Sequence, residues 1–266
     1  MVIFLGMLLL NAAAAASETL KIGGVGTALG SMKLIAAAFE KSNPGIRVVV
    51  IPSLGSSGAA AAVHKGALDI GLMGRPFKEE EAGSGMKVLE YARTPFVVVT
   101  KNRSMPTGVT TAELVKFFRG DTKTWPDGKP IRLVLRPASD VDSALAKDIS
   151  ADMRSALDDA HARMGMLTAT TDQDNADLIE RTPGSLGFST LTQVIAEHRA
   201  LKILSFNGMN PSVKALASGS YPLFKPLFLI TKKEPAGSIK KFIDFVTQAE
   251  GKKILEASGN LPLGTR

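Results

Sequence analysis

Leu20-Lys21-Ile22-Gly23-Gly24-Val25-Gly26-Thr27-Ala28-Leu29-Gly30-Ser31 and, after it, Val48-Val49-Val50-Ile51-Pro52-Ser53-Leu54-Gly55-Ser56-Ser57-Gly58 decide the fold. Each is a short apolar run that ends among glycine and hydroxyl residues. Between them Met32, Ile35, Ala36 and Phe39 fall at i, i+3, i+4 and i+7, one apolar helix face, which Asn43-Pro44-Gly45 stops. The β-branched run 46–51 shows no clean alternation, as expected of a strand covered on both faces. An alanine-rich helix over 59–65 and a third strand over 69–73 follow, the latter ending at Gly74-Arg75-Pro76. The order β-α-β-α-β, with the loops after the strands rich in glycine and serine, is the grammar of a parallel sheet that holds ligands at the carboxyl ends of its strands.

Further along, the sequence predicts a strand at 96–100, a short helix from Thr111 to Arg119 capped by Thr110 or Thr111, and a turn at Trp125-Pro126-Asp127-Gly128. A strand at 131–135 delivers Arg136 to the head of a polar helical stretch over 144–163. A helix over 171–181 is stopped by Pro183-Gly184 before a short strand at 187–190. The chain closes with a strand at 223–231, a helix over 238–248 and a shorter one to about Ala257. No repeat of fixed period and no linker-like composition break interrupts it.

Composition excludes several function classes. The 266 residues are 45% hydrophobic, enough for a sizeable core in one large domain or two smaller ones. The absence of cysteine removes disulfide scaffolds, Cys-ligated metals, thiol catalysis and the lipidated cysteine of a lipoprotein. With only His64, His161 and His198, a His-rich metal site is not expected, and neither is any cofactor. The net charge of +7 asks for an anionic partner. Residues 1–16 carry no charge and read as a secretory signal, an apolar run from Val2 to Leu10 followed by alanines, with cleavage expected after Ala16. A buried N-terminal helix is the alternative. No later run is long and apolar enough to span a bilayer, so a periplasmic protein without a lipid anchor is expected.

Three stretches carry candidate chemistry. Gly24-x-Gly26-x-x-x-Gly30 resembles a dinucleotide fingerprint, but the second strand ends Val50-Ile51-Pro52 without the acidic residue that a ribose needs. Gly55-Ser56-Ser57-Gly58 misses the Gly-x-Ser-x-Gly register of a hydrolase elbow by one residue. It reads either as an anion nest of backbone N–H groups and serine hydroxyls at a helix start, or as plain capping of that helix by Ser56 or Ser57. Arg136, at a strand end, offers the paired donors that suit an oxyanion or carboxylate, or else makes an ion pair with Asp140 or Asp142.

In this order the loops resemble those of the periplasmic phosphate-binding proteins of ABC importers. Gly24-Val25-Gly26-Thr27-Ala28 is similar to the family's first loop, Gly55-Ser56-Ser57-Gly58 to its Gly-Ser-Ser-Gly loop, and Asp69-Ile70-Gly71 with Arg75-Pro76 to the strand end that follows. Arg136 matches the Arg of its Arg-x-x-x-Ser-Gly-Thr loop, and 182–188 resembles its Pro-Gly-Ala-Ile-Gly-Tyr segment. The likeness implies an α/β protein of the type II periplasmic binding class, two lobes of mainly parallel sheet flanked by helices and joined by two crossovers. The crossovers are expected near Thr100 and near 223–226, giving one lobe from 17–100 and 226–266 and the other from 101–225. It further implies an oxyanion held in the cleft by Thr27, Ala28, Ser56, Ser57, Arg75 and Arg136, and an ABC permease as membrane partner.

Two departures stand out. Gly74 occupies the place where some members carry an Asp, although Arg75 is similar to their Ser-Arg version. Asp140 and Asp142 stand where the family has Ser and Thr, and a carboxylate repels a fully ionised oxyanion. One reading makes Asp140 the acceptor for a protonated ligand oxygen, favouring hydrogenphosphate over sulfate. The other makes Asp140 and Asp142 a helix cap and ion-pair partners of Arg136, with a ligand other than phosphate. A monomeric binding protein without catalysis is expected, since no paired general acid and base is legible. Nucleic acid is not expected as a partner, because Lys and Arg alternate with Asp and Glu along most of the chain.

Overall fold

The structure, a computed structural model, describes residues 18–83, 85–102, 106–232 and 234–264, and the expected signal 1–16 lies outside them. The first half runs β1 (Glu18–Gly24), α1 (Gly26–Ser42), β2 (Ile46–Val50), α2 (Gly55–His64), β3 (Ile70–Met73), α3 (Glu79–Ala82) and β4 (Lys87–Thr100). β1 pairs in parallel with both β2 and β3, the arrangement that the alternating strand and helix patterns predict. Within the stretches expected as loops, 26–31 and 55–58 are instead the first turns of α1 and α2. Every residue from Gly26 to Met32 is buried, so the start of α1 has no solvent face and shows no helical periodicity in the sequence.

The second half contains β5 (Gly108–Val109), α4 (Thr111–Arg119), β6 (Arg132–Leu135), α5 (Val141–Lys147), α6 (Ala151–Ala162) and β7 (Leu167–Thr168). It continues through α7 (Asp172–Arg181), β8 (Ser185–Thr190), α8 (Leu191–Ala196), β9 (Lys202–Ile203), β10 (Ser205–Phe206) and α9 (Val213–Ala217). The polar helices expected over 144–163 are α5 and α6, and the first begins earlier because Asp140 caps it through a bond from the Asp142 amide. The chain then returns with β11 (Phe224–Thr231), α10 (Gly237–Thr247), α11 (Ala249–Ala257) and β12 (Leu261–Pro262).

Two strands link the halves. β4 begins nine residues before the strand predicted from sequence. Its residues 87–95 pair antiparallel with β11, and its residues 96–100 pair antiparallel with β8. The resulting order is β2-β1-β3-β11-β4-β8-β6-β7, with parallel pairs on the outside and antiparallel pairs where β4 and β11 pass through. Cores change along with pairing partners. Leu20, Ile22, Met32, Phe39, Leu227 and Phe242 form the core of the first half, which β11 and α10 complete. Phe96, Val98, Phe118, Leu135, Met153 and Phe188 pack on one face of the second sheet, while Val97, Val99, Val134 and Ile179 pack on the other. The period of two along 96–99 feeds both faces at once, which is why that run reads as uninterrupted apolar sequence. The molecule is therefore a two-lobed α/β protein, each sheet covered by helices, with a cleft between the lobes at the heads of α1, α2, α5 and α7.

Candidate functional site

A cavity of about 220 Å³ lies in that cleft. One side is built by Val25, Ser53, Leu54, Gly55 and Ser56, where β1 and β2 hand over to α1 and α2. The other is built by Arg136, Asp140, Val141, Thr170, Thr171 and Asp172, at the ends of β6 and β7 and the heads of α5 and α7. Lys225, near the start of β11, closes the floor.

The helix heads on the two sides differ. α4, α5, α6, α7, α8 and α9 each have a side-chain cap, from Thr110, Asp140, Ser150, Thr171, Thr190 and Ser212. α1 and α2 have none, nor do α3, α10 and α11 away from the cavity, and neither α1 nor α2 has an acidic residue in its first turn. Gly55 and Ser56 bring the head of α2 to the cavity without a side-chain cap, an arrangement suited to an anion, whereas the head of α1 lies against the Asp172 carboxylate. The capping alternative for Ser56 and Ser57 is thus corrected. The residue before α2 is Leu54, the Ser56 hydroxyl accepts from the Gly74 amide at 3.0 Å, and Ser57 bonds to Glu81 at 2.9 Å. A hydroxyl that accepts still has its own proton to give, so Ser56, buried and lining the cavity, keeps a donor.

Across the cavity Arg136 is 7% exposed and engaged on three nitrogens. Its Nε and Nη2 donate to the two oxygens of Asp140 at 3.3 and 2.8 Å, and Nη1 donates to the Ala169 carbonyl at 3.2 Å. Asp140 is thereby both the cap of α5 and a forked partner of Arg136. Asp142 does not pair with Arg136. It lies beneath, accepting from Lys225 Nζ at 2.6 Å.

Lys225 is 1% exposed, and its three protons have three acceptors: Asp142, the Thr27 hydroxyl at 3.0 Å and Asp172 at 3.3 Å. Thr27 in turn donates to Asp172 at 2.7 Å. Burial opposes the charge on both cations, but the surrounding aspartates outweigh it and hold the Arg136 and Lys225 pKa values above their ordinary ones, so both stay charged. The two buried carboxyls diverge. Burial raises both, yet Lys225, Arg136 and the Thr27 hydroxyl bring Asp172 down to about 2. Asp142 makes the shorter bond to Lys225, but full burial, with Asp172 and Asp140 beside it, leaves its carboxyl above the usual range. Two cations thus face three aspartates.

The residues expected at the site do not all meet there. Ser56, Arg136 and Asp140 line the cavity. Thr27 sits behind it with its hydroxyl engaged by Lys225 and Asp172. The Ala28 amide donates to Val25 O at 3.2 Å within the first turn of α1 and is not a free donor. Arg75 and Ser57 form a separate surface cluster: Arg75 Nη2 donates to the Ser57 hydroxyl at 2.9 Å and pairs with Glu81, whose carboxyl is held low by that guanidinium. Arg75 takes Glu81, on α3, as its counter-charge and does not line the cavity.

Lys225 and Asp172 are the residues that sequence reasoning missed. The available signal was a lone charge inside the apolar strand 223–230, and an acid immediately after the capping Thr171. Gly74 makes room for Lys225, since a Cβ there would stand 2.7 Å from its Cε. Among the described residues no group of three or more acidic or histidine side chains is placed to hold a metal ion.

Comparison with known proteins agrees with this architecture. The sequence model of the PBP superfamily domain matches residues 11–250. Phosphate-binding protein PstS of Bacillus subtilis is 30% identical over 93% of this chain and 82% of its own length. Among solved structures, a Clostridium perfringens protein determined with bound phosphate superposes with a TM-score of 0.77 at 20% identity, covering 92% of this chain and all of that one. The periplasmic molybdate-binding protein of Azotobacter vinelandii superposes at 0.64 and 17% identity, over 91% of this chain and 98% of that one. At those identities the two structures speak for the fold, and the sequence matches speak for the family: the chain belongs to the PBP superfamily and, within it, to the family of PstS phosphate-binding proteins.

Proposed function

We propose that the chain is the ligand-binding component of an ABC importer and takes phosphate or a similar small oxyanion into the interlobe cavity. The observation that carries this reading is the uncapped head of α2, with the Ser56 hydroxyl, facing the Arg136 guanidinium across a cavity of about 220 Å³. The names of the relatives, including a protein solved with phosphate bound, support the same ligand class. Micromolar affinity corresponds to about −8 kcal/mol, and hydrogen bonds to a charged group contribute about 1.5–3 kcal/mol each, so a few bonds from α2, Ser56 and Arg136 suffice.

Asp140 shares the Arg136 fork with the ligand, and three carboxylates near the anion favour a ligand that brings a proton of its own. Phosphate is therefore preferred over sulfate. The lobes move as units of 18–95 with 224–264, and of 96–223, hinged where β4 and β11 pass between the cores. The closed form is what a permease in the inner membrane reads from the periplasmic side. The protein acts without catalysis and as a single chain.

Calorimetry on unfolded and refolded, ligand-free protein with phosphate, arsenate and sulfate tests the reading. Binding of phosphate at micromolar concentration, with sulfate at least tenfold weaker, is expected. No heat with phosphate at millimolar concentration overturns it.

A further inference from the structure

The heads of α1 and α7 belong to different lobes and meet behind the cavity. A Cβ built on Gly26, the first residue of α1, would stand 2.7 Å from Asp172 Oδ2, so the carboxylate of the first residue of α7 lies directly against the head of α1. Two helix N-termini that approach this closely repel through the positive ends of their dipoles unless an anion lies between them. Asp172 is that anion. α1 has no cap of its own, since Val25 gives no side-chain bond and the first turn holds no acidic residue.

Hydrogen bonds fix the approach. Thr27 Oγ1 donates to Asp172 Oδ1 at 2.7 Å, and Gln173 Nε2 donates to the Gly26 carbonyl at 3.0 Å. Lys225 Nζ donates to both Thr27 and Asp172 and ties the same two helices again. Lys225 stands opposite Thr94 on β4, beside the point where β4 exchanges β11 for β8 as its partner. It therefore lies by the hinge, where rotation moves it least, whereas the bonds from Thr27 and Gln173 reach across to the opposite lobe and break when the cleft opens.

Thr27 is thus placed differently from a ligand donor. Its hydroxyl has one proton, which Asp172 takes, and neither Thr27 nor Gln173 lines the inner cavity.

We infer that Asp172 is an intramolecular anion for the head of α1 and that, with Thr27 and Gln173, it latches the two lobes together. Thr27 and Gln173 are then positioning residues, and part of the affinity for the ligand comes from side chains that do not touch it. Because the latch is made from protein groups alone, it also raises the population of the closed form in ligand-free protein. Its effect on affinity rests on the oxyanion reading above, and its effect on lobe geometry does not.

Calorimetry with inorganic phosphate on Gln173→Ala, Thr27→Val and Thr27→Ser, with small-angle scattering on the same proteins free of phosphate, tests the latch. Gln173 is half-buried and belongs to neither core, so its replacement leaves folding intact. Phosphate binding about fivefold weaker is expected in Gln173→Ala and Thr27→Val, with near wild-type binding in Thr27→Ser. The first two should also show a larger radius of gyration than wild type before phosphate is added. In an Asp172→Ala background, where Lys225 keeps Asp142 and Arg136 keeps Asp140, Thr27→Val should weaken binding less than about twofold, because the acceptor of its hydroxyl is already gone. An equal loss with and without Asp172 assigns the Thr27 hydroxyl to the ligand and overturns the latch. Unchanged phosphate affinity in Gln173→Ala, or equal radii in wild type, Gln173→Ala and Thr27→Val, overturns it too. If wild-type protein gives no heat with phosphate while the radii differ as expected, the oxyanion reading falls and the latch stands.

Discussion

Lys225 concentrates the electrostatics of this protein in one side chain. A buried ammonium is tolerated only with acceptors for all its protons, and here those come from α1, α5 and α7 at once. Removing it leaves Asp142 and Asp172 buried beside each other with Arg136 as the remaining cation. Lys225→Met is therefore expected to destabilise the fold by about 3–5 kcal/mol in urea titrations, and adding Asp142→Asn to recover part of that loss.

Asp172 sets the acid limb of stability. Its folded pKa of about 2 lies below the ordinary 3.8, so the folded state binds its proton less tightly than the unfolded chain does. The stability it contributes is fully present above pH 3.8 and is lost as pH falls from there through about 2. Asp142, displaced upward, has the opposite sign and does not add to this loss. Asp172→Asn should flatten the decline of unfolding free energy between pH 4 and pH 2, measured by urea denaturation at each pH.

At the scale of elements, the heads of α4 and α2 are built differently. α4 begins with a full capping box, Thr110 and Glu113 each bonding the other's backbone amide, at a place where nothing but helix stability is at stake. α2 forgoes a cap although Leu54, at its head, is 43% exposed and free to be polar. An aspartate there would accept from the first-turn amides and occupy the position offered to an anion. Leu54→Asp should hold or raise the melting temperature while weakening phosphate binding at least tenfold, read by calorimetry. A structural role alone would give the first effect without the second.

For the whole molecule, the glycines of the first helix report how closely the lobes approach. A Cβ at Gly30 would lie 2.9 Å from Ala196 Cβ and 3.0 Å from Glu197 Cγ, both at the end of α8 on the other lobe. One at Gly26 would lie 2.4 Å from Gln173 Oε1. These glycines allow closure, which is a different reason from a tight turn or a phosphate fingerprint. Gly30→Leu should wedge the lobes apart. Its radius of gyration by small-angle scattering should stay at the open value when phosphate is added, and phosphate affinity should drop at least tenfold. The two cores, built from other residues, should keep the melting temperature within a few degrees.

The amino-acid sequence by itself determined the local features. The β-α-β-α-β opening follows from periodicity, the head of α4 from Thr110, and the candidate anion loop from Gly55-Ser56-Ser57-Gly58. The placement of Arg136 and Asp140 at the cleft was legible too, because a strand end and the next helix cap are neighbours in sequence. Only the tertiary structure decided that Arg75 and Ser57 pair with Glu81 outside the cavity, and that Lys225 sits at its floor. Lys225 reaches partners 198, 83 and 53 residues away, at Thr27, Asp142 and Asp172. Such contacts exist because β4 and β11 run through both lobes and bring the heads of three helices to one point. Side-chain periodicity and capping act over a few residues and carry no information about that meeting.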